Sequence, residues 1–312
     1  MSPRTLRLGT RGSALALWQA NWTKSELERR WPDLQVELVS IKTTGDKILD
    51  VPLAKIGGKG LFTKEIDEAL LDGRIDLAVH SLKDVPFDLP AGIEIGAVPE
   101  REDPRDAFLS DRGRLSELRP DATIGTSSLR RQVQLRHHFP SFNIVALRGN
   151  VDTRLRKLAA GEFDGIILAV AGLKRLGHES RITKILDDDI MVSAVGQGAL
   201  AIVCRTDDES TRDLLLPLDH SSTRICVTAE RGLLRALGGS CQVPVAGRAV
   251  ITAGTLAVKG LIASLDGVRV IRDEMTGRPE TAEALGIELG ERMLSRGAGE
   301  ILAEITQNAA DG

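Results

Sequence analysis

A chain of 312 residues is longer than one hydrophobic core comfortably serves, so two or three domains are expected. Hydrophobic residues make up 42% and charged residues 27%, a globular composition, while a net charge of −3 excludes a global basic bias toward nucleic acid. With aromatics at 3% and no tyrosine, there is also little to build the stacking platforms of single-strand binders.

Cys204, Cys226 and Cys241 are odd in number and far apart, and no C-x-x-C or H-E-x-x-H occurs. That pattern excludes a disulfide framework, gives no metal site, and points to a reducing compartment. MSPRTLRLGTRGS has no secretory pattern and no apolar run reaches membrane-span length, so a cytoplasmic location without membrane attachment is expected.

In chain order, LRLG (6–9) reads as a strand and Ser13 opens a helix carrying Leu17, Trp18 and Leu27. QVELVSI follows as a strand, LFTKEIDEALLDG as a helix stopped by Gly73, and IDLAV as a buried strand. A second strand-helix series runs through ATIG and SSLRRQVQLRHH, NIVAL and NVDTRLRKLAAG, and IILAV. The alternation predicts mainly parallel sheets covered by helices. LAVHSLK (77–83) and LAVAGLK (168–174) echo each other, which suggests two similar α/β domains with ligand sites at the strand ends in a cleft between them. After Gly196-Gln197-Gly198 come the strand ALAIVC and a leucine-rich helix. From Ser221 a helix, a glycine-flanked cysteine loop (GGSCQVPVAG), three strand-like runs and a last helix read as a small antiparallel α+β domain.

Several stretches carry candidate chemistry. GTRGS (9–13) and GTSSLRR (125–131) set hydroxyl residues and arginine at strand-to-helix junctions, where N–H groups and the helix dipole hold carboxylates or phosphates. Alone, Ser13 and Ser127 are better read as N-caps. From Ser128 to Arg156 the chain carries Arg130, Arg131, Arg136, Arg148, Arg154 and Arg156 against the single acid Asp152. Residues 42–60 show no clean periodicity and are read as a mobile lid, with Lys55 and Lys59 able to close on an anion and surface solvation the default for both. In HSLKDVP, Asp84 follows a buried strand beside Lys83 and reads equally as a proton-transfer group or as a turn residue before Pro86. The five histidines form no triad with Cys241, against a papain-like hydrolase.

RGSALALWQA, KTTGDKILDVPLAKIGGKGLFTKEIDEALLDGRIDLAVHSLKDVP, GTSSLRRQVQLR, RGNVDTRLRKL, AVGQGALAI and GGSCQVP resemble, in order and spacing, the porphobilinogen deaminase (hydroxymethylbilane synthase) family. The resemblance implies two periplasmic-binding-protein-like α/β lobes, residues 1–99 with 197–218 and residues 100–196. To these it adds a C-terminal α+β domain, 221–312, with a three-stranded antiparallel sheet. It implies a transferase of tetrapyrrole (porphyrin, heme) biosynthesis, a monomer, that joins four porphobilinogen molecules head to tail on a dipyrromethane cofactor. Ammonia and the linear tetrapyrrole are released. By the same resemblance the cofactor is bound through a thioether to Cys241, and Ser81, Lys83, Ser128, Arg130 and Arg131 hold its carboxylates. Arg11, Ser13, Lys55, Lys59, Arg148, Arg154 and Arg175 would serve the substrate or growing chain. Asp84 would face pyrrole N–H groups and stabilise the azafulvenium cation left by ammonia. Ser240 stands before the cysteine where the family pattern has glycine, and VAGRA follows Pro244 in place of a tyrosine-bearing version. Planar arginine forks suit a ligand that accumulates carboxylates in a low-dielectric setting. Two other readings weigh less. A plain anion-binding module would have no use for Cys241, and nucleic-acid binding lacks its aromatic platforms.

Overall fold

Apolar residues at every second position of RTLRLGT and at one side of ALALWQANWTKSELERR set a strand against a helix, and this pairing recurs through the chain. The computed structural model describes residues 4–47, 63–238 and 243–310. Its elements are β1 (Arg4–Thr10), α1 (Ala14–Arg30), β2 (Leu34–Ser40), the single-turn α2 (Thr44–Lys47), α3 (Lys64–Leu71), β3 (Leu77–Ser81) and β4 (Ile93–Ala97). Next come β5 (Asp106–Leu109), β6 (Thr123–Gly125), α4 (Leu129–His138), β7 (Asn143–Val145), α5 (Val151–Ala159), β8 (Gly165–Ala169), α6 (Val170–Arg175) and β9 (Lys184–Ile185). The chain continues with β10 (Leu200–Arg205), α7 (Glu209–Leu215), α8 (Ser221–Ala236), β11 (Val245–Thr252), β12 (Thr255–Ala263), β13 (Val270–Gly277), α9 (Ala282–Met293) and α10 (Gly299–Ala310). Two compact units result, and the division falls at Arg101/Glu102, Gly198/Ala199 and within α8 after Arg224.

The first unit is built on a sheet of order β2-β1-β3-β10-β4. Leu6, Leu8, Leu77, Val79 and Ile202 share one core with Ala20 and Leu27 of α1. Ala78 and Val203 share another with Ile66, Ala69 and Leu70 of α3. The sheet is thus covered on both faces, as its apolar strands require.

In the second unit a sheet of order β7-β6-β8-β5-β9 is likewise covered on both faces. Ile166 and Leu168 meet Leu155 and Leu158 of α5, while Phe108 and Ile167 meet Leu135 of α4. The same unit holds the antiparallel meander β11-β12-β13. One face of the meander is packed by Leu233 of α8, Leu289 of α9 and Ile305 of α10. Gly286 of α9 permits the close helix crossing, because a Cβ there would lie 2.0 Å from the Ala229 carbonyl oxygen. On the other face, Ala246 and Leu261 pack with Val133 of α4 and Val192. The β12–β13 turn also docks on α4: Arg136 donates to the Leu265 carbonyl, and His137 Nδ1 lies 3.1 Å from the Gly267 oxygen.

Two α/β lobes and a C-terminal α+β portion with a three-stranded antiparallel sheet make up the fold, as expected. The expectation of mainly parallel sheets needs correction. β10 runs antiparallel to both β3 and β4, and β5 antiparallel to both β8 and β9. β10 is inserted from a distant part of the sequence, so no βαβ crossover fixes its direction, and its buried run LAIVC gives no sign of orientation. Ser13 caps α1 by accepting from the Ala16 amide, as expected. At α4 the N-cap position belongs to Ser128, not Ser127, whose hydroxyl donates to the Leu147 carbonyl instead.

Candidate functional site

The carboxyl ends of β1 and β3 open into a pocket lined by Arg11, Ser13, Gln19, His80, Ser81 and Asp84, among others. Strand alternation explains who faces what. Val79 belongs to the core shared with α1, and Ser81, two residues on, receives a 2.8 Å hydrogen bond from Gln19 Nε2 of that helix. Ala78 belongs to the core shared with α3, and His80 follows it on that side. Past Ser81 the chain turns through a short 3-10 segment, Leu82–Asp84, anchored by buried Leu82, which leaves the Asp84 carboxylate exposed at the mouth and Lys83 half-buried. The pocket therefore brings Arg11, Ser13, Ser81 and Asp84 together, with Lys83 next in sequence. Gln19 is a lining residue that the sequence did not single out. A polar side chain on the buried stripe Gln19, Ala20, Thr23, Leu27 was the available signal.

In the second unit the decisive feature lies inside the fold. Asp106, at the start of β5, is fully buried, and Arg130 and Arg131 of α4 are 5% and 6% exposed. Asp106 Oδ2 accepts from Arg130 Nη1 at 2.7 Å. Its Oδ1 accepts from Arg131 Nη2 at 2.7 Å and Nε at 3.1 Å, and from Gln197 Nε2 at 2.9 Å. Burial pushes the Asp106 pKa up, but the two guanidiniums outweigh it and hold the carboxyl well below the usual range. One carboxylate thus faces two guanidiniums, and the cluster keeps a buried excess of positive charge. Burial, and then repulsion from Arg131, lower the pKa of Arg130. All of Arg131's nitrogens are engaged, the third through Nη1 to the Ile167 carbonyl at 3.0 Å. Arg130 commits Nη1 to Asp106 and the Val192 carbonyl, and its other nitrogens make no hydrogen bond to the described residues.

The remaining arginines are less enclosed. Arg154 of α5 donates from Nε to the Gly149 carbonyl at 2.8 Å, and Arg148 lies half-buried just before that glycine. Arg175 donates to the Gly198 carbonyl at 2.7 Å, and burial brings its pKa down to about 10. Gly198 sits at φ +86°, and a Cβ would be 2.3 Å from the Glu102 carbonyl oxygen, so only glycine fits this turn. Glu230 of α8, fully buried, accepts from the Gly196 amide at 2.7 Å and the Ala249 amide at 2.8 Å, tying the AVGQG turn to β11. Ser128 makes no side-chain capping bond, so the first N–H groups of α4 are not satisfied by its hydroxyl. Cys241, Lys55, Lys59 and the expected lid from residue 48 lie outside the described residues; Thr44–Lys47, inside the expected irregular stretch, form one helical turn.

Residues 6–213 match the family model "Porphobilinogen deaminase, dipyromethane cofactor binding domain", and residues 224–295 match the porphobilinogen deaminase C-terminal domain. The chain belongs to the porphobilinogen deaminase family. It is 54% identical over 307 residues to the porphobilinogen deaminase of Trichlorobacter lovleyi, covering 98% of both chains. It is 56% identical over 308 residues to that of Nitratidesulfovibrio vulgaris, covering 97% of both. Among solved structures, the methionine-binding protein MetQ is 14% identical with a TM-score of 0.45, over 69% of this chain and 90% of that one. As a member of the porphobilinogen deaminase family, the chain is a transferase of tetrapyrrole biosynthesis with a dipyrromethane cofactor. Among the described residues no helix is long and apolar enough to cross a membrane.

The described residues fit such a cofactor, a dipyrrole bearing acetate and propionate chains. The Arg130–Arg131–Asp106 cluster has a positive charge that its own carboxylate does not cancel, and Arg130 has donors left over. The pocket at β1 and β3 adds a buried polar atom, His80 Nε2, with no hydrogen-bond partner among the described residues.

Proposed function

We propose that the pocket at the ends of β1 and β3 is where porphobilinogen reacts, with Asp84 as the catalytic residue. The observation that carries this reading is the convergence of Arg11, Ser13, Ser81 and Asp84 on that one cavity. Arg11 and Ser13 hold a substrate carboxylate, and Asp84 faces the pyrrole nitrogen, stabilising the cation left when ammonia departs and moving the proton released on coupling. Arg148, Arg154, Arg175, Lys55 and Lys59 serve the carboxylates of the substrate and lengthening chain. Ser81, Lys83, Ser128, Arg130 and Arg131 hold those of the cofactor. When bound, the dipyrromethane supplies the pyrrole end onto which four substrate molecules are joined before hydroxymethylbilane is released.

Within that assignment the two cluster arginines divide the work. Arg130, with Nε and Nη2 still to commit, offers the cofactor carboxylate more donors, while Arg131 holds it through the second N–H of its Nη atoms and also positions Asp106. Cys241, between α8 and β11 in sequence, anchors the cofactor through a thioether. The other two thiols are buried in cores, and burial raises the pKa of Cys204 to about 11, which leaves it a poor nucleophile. The functional division runs 1–99 with 197–218, 100–196 and 221–312. The enzyme acts as a cytoplasmic monomer without nucleic acid.

Intact-protein mass spectrometry tests the anchor. Cys241→Ser should lack both the dipyrromethane mass and turnover, while Cys204→Ala and Cys226→Ala retain the adduct. An adduct that survives Cys241→Ser overturns the assignment.

A further inference from the structure

His80 is ionisable, 7% exposed, and lines the pocket that holds Arg11, Ser13, Ser81 and Asp84, yet the chemistry above makes no use of it. Its neighbour Ser81 is held by Gln19, whereas His80 Nε2 is buried without a hydrogen-bond partner among the described residues. Buried polar atoms are almost always paired, so this exception, in a residue that lines the cavity, calls for a cause. A core histidine with only a packing role would be expected to have both its ring polarity satisfied and no cavity beside it.

Register supplies the second observation. Strands β1 and β3 pair in parallel through Leu8 with Leu77 and Gly9 with Ala78, so both chains leave the sheet at the same end, where Arg11 and His80 line one pocket. Burial first, and the Arg11 charge second, lower the His80 pKa to about 4. The ring is therefore neutral at physiological pH, with one N–H donor, at a place made attractive to anions by Arg11. A second guanidinium there would bind a carboxylate more tightly. A neutral donor instead orients one without adding charge that would slow its release.

We propose that His80 is a substrate-contacting residue, its neutral imidazole donating a hydrogen bond to a carboxylate of porphobilinogen that Arg11 and Ser13 also hold. This rests on the pocket being the reaction site, and the test separates the two. His80→Phe keeps a ring but removes both nitrogens, and His80→Gln keeps an amide donor. With adduct-bearing enzyme confirmed by mass, the first addition is followed by intact mass against porphobilinogen concentration. The half-saturating concentration should rise about tenfold to a hundredfold in His80→Phe, the range for a hydrogen bond to a charged group, with the saturated rate within about threefold. His80→Gln should stay within about threefold of wild type. Independently of turnover, a His80 ring N–H proton should become protected and visible in 15N-edited spectra when porphobilinogen is added. Half-saturation within about twofold in His80→Phe overturns the proposal, as does equal impairment of both variants together with a lowered melting temperature. Arg11→Leu and Asp84→Asn variants that carry the adduct and react as wild type overturn the pocket reading itself, and this inference with it.

Discussion

Replacing Asp106 by Asn keeps the shape of the side chain while removing the one charge that offsets Arg130 and Arg131. In the native protein its two oxygens take hydrogen bonds from Arg130 at 2.7 Å, Arg131 at 2.7 and 3.1 Å, and Gln197 at 2.9 Å, all in the buried interior. The variant leaves two guanidiniums side by side with no anion, and its amide can accept on only one oxygen. Breaking a buried pair from one side costs about 3–5 kcal/mol, a large part of the roughly 5–15 kcal/mol that holds a typical native state. Urea unfolding of wild type, Asp106→Asn, Arg131→Met and the double variant measures this loss. The double variant should lose less than the sum of the singles, by at least about 1 kcal/mol, because the partners are in direct contact. The sign of the pH dependence follows from the lowered Asp106 pKa. Its stabilisation is present above the unfolded value of 3.8 and is lost only as pH falls through the lower folded value. The gap between variant and wild type should therefore be nearly constant from pH 8 to about pH 5. A loss under about 1 kcal/mol, or additivity with Arg131→Met, would refute the charge reasoning.

The Asp67 carboxyl on α3 is pushed up from 3.8 to about 6 by burial, so its ionisation opposes folding as pH rises between those values. Asp67→Asn should stabilise the protein by roughly 1–2 kcal/mol at pH 7.5, two pKa units reduced by solvent screening, and by little near pH 4; melting curves at both pH values check this, and a loss at pH 7.5 contradicts it. Asp84→Asn should leave the adduct detectable by mass while single-turnover ammonia release falls by about two to four orders of magnitude, and near-wild-type release would return Asp84 to the role of a turn residue.

What the sequence made legible follows from what is local. The strand at LRLG, the Ser13 cap and the stop at Gly73 are set by near neighbours, and each is present, the strand extended at both ends to Arg4–Thr10. The sense of β10 is not local. Nor is the partner of Arg130 and Arg131. Counting charges from Ser128 to Arg156 leaves out Asp106, which lies 24 residues before Arg130 and meets it only through the pairing of β5 with β8 beneath α4. Arg136, counted in the same arginine run, donates to Leu265 on the β12–β13 turn, 129 residues away. Testing the histidines for a triad with the cysteine gives no sign of His80. The better signal was an ionisable residue closing the buried strand LAVHS. Asp67 gave a similar sign, a carboxylate on the same helix face as Ile66 and Leu70.

In the proposed assignment the two units hold anions by different physical means, and the difference matches the division of ligands. The Arg130–Arg131 pair is buried, pre-oriented by Asp106, and fixed again by carbonyls of Val192 and Ile167. A site of that kind has already met the desolvation cost of its charges during folding, so an anion that enters gains a strong interaction and leaves slowly. That suits the carboxylate of a permanently attached group. The pocket at β1 and β3 instead offers one half-buried arginine, two serines, one of them held by Gln19, a neutral histidine, and the exposed negative charge of Asp84. Opposed charges and neutral donors there give orientation with modest net attraction. A ligand that arrives as a substrate and must become part of a moving chain needs such a site, because each turn of the reaction requires the same pocket to be vacated.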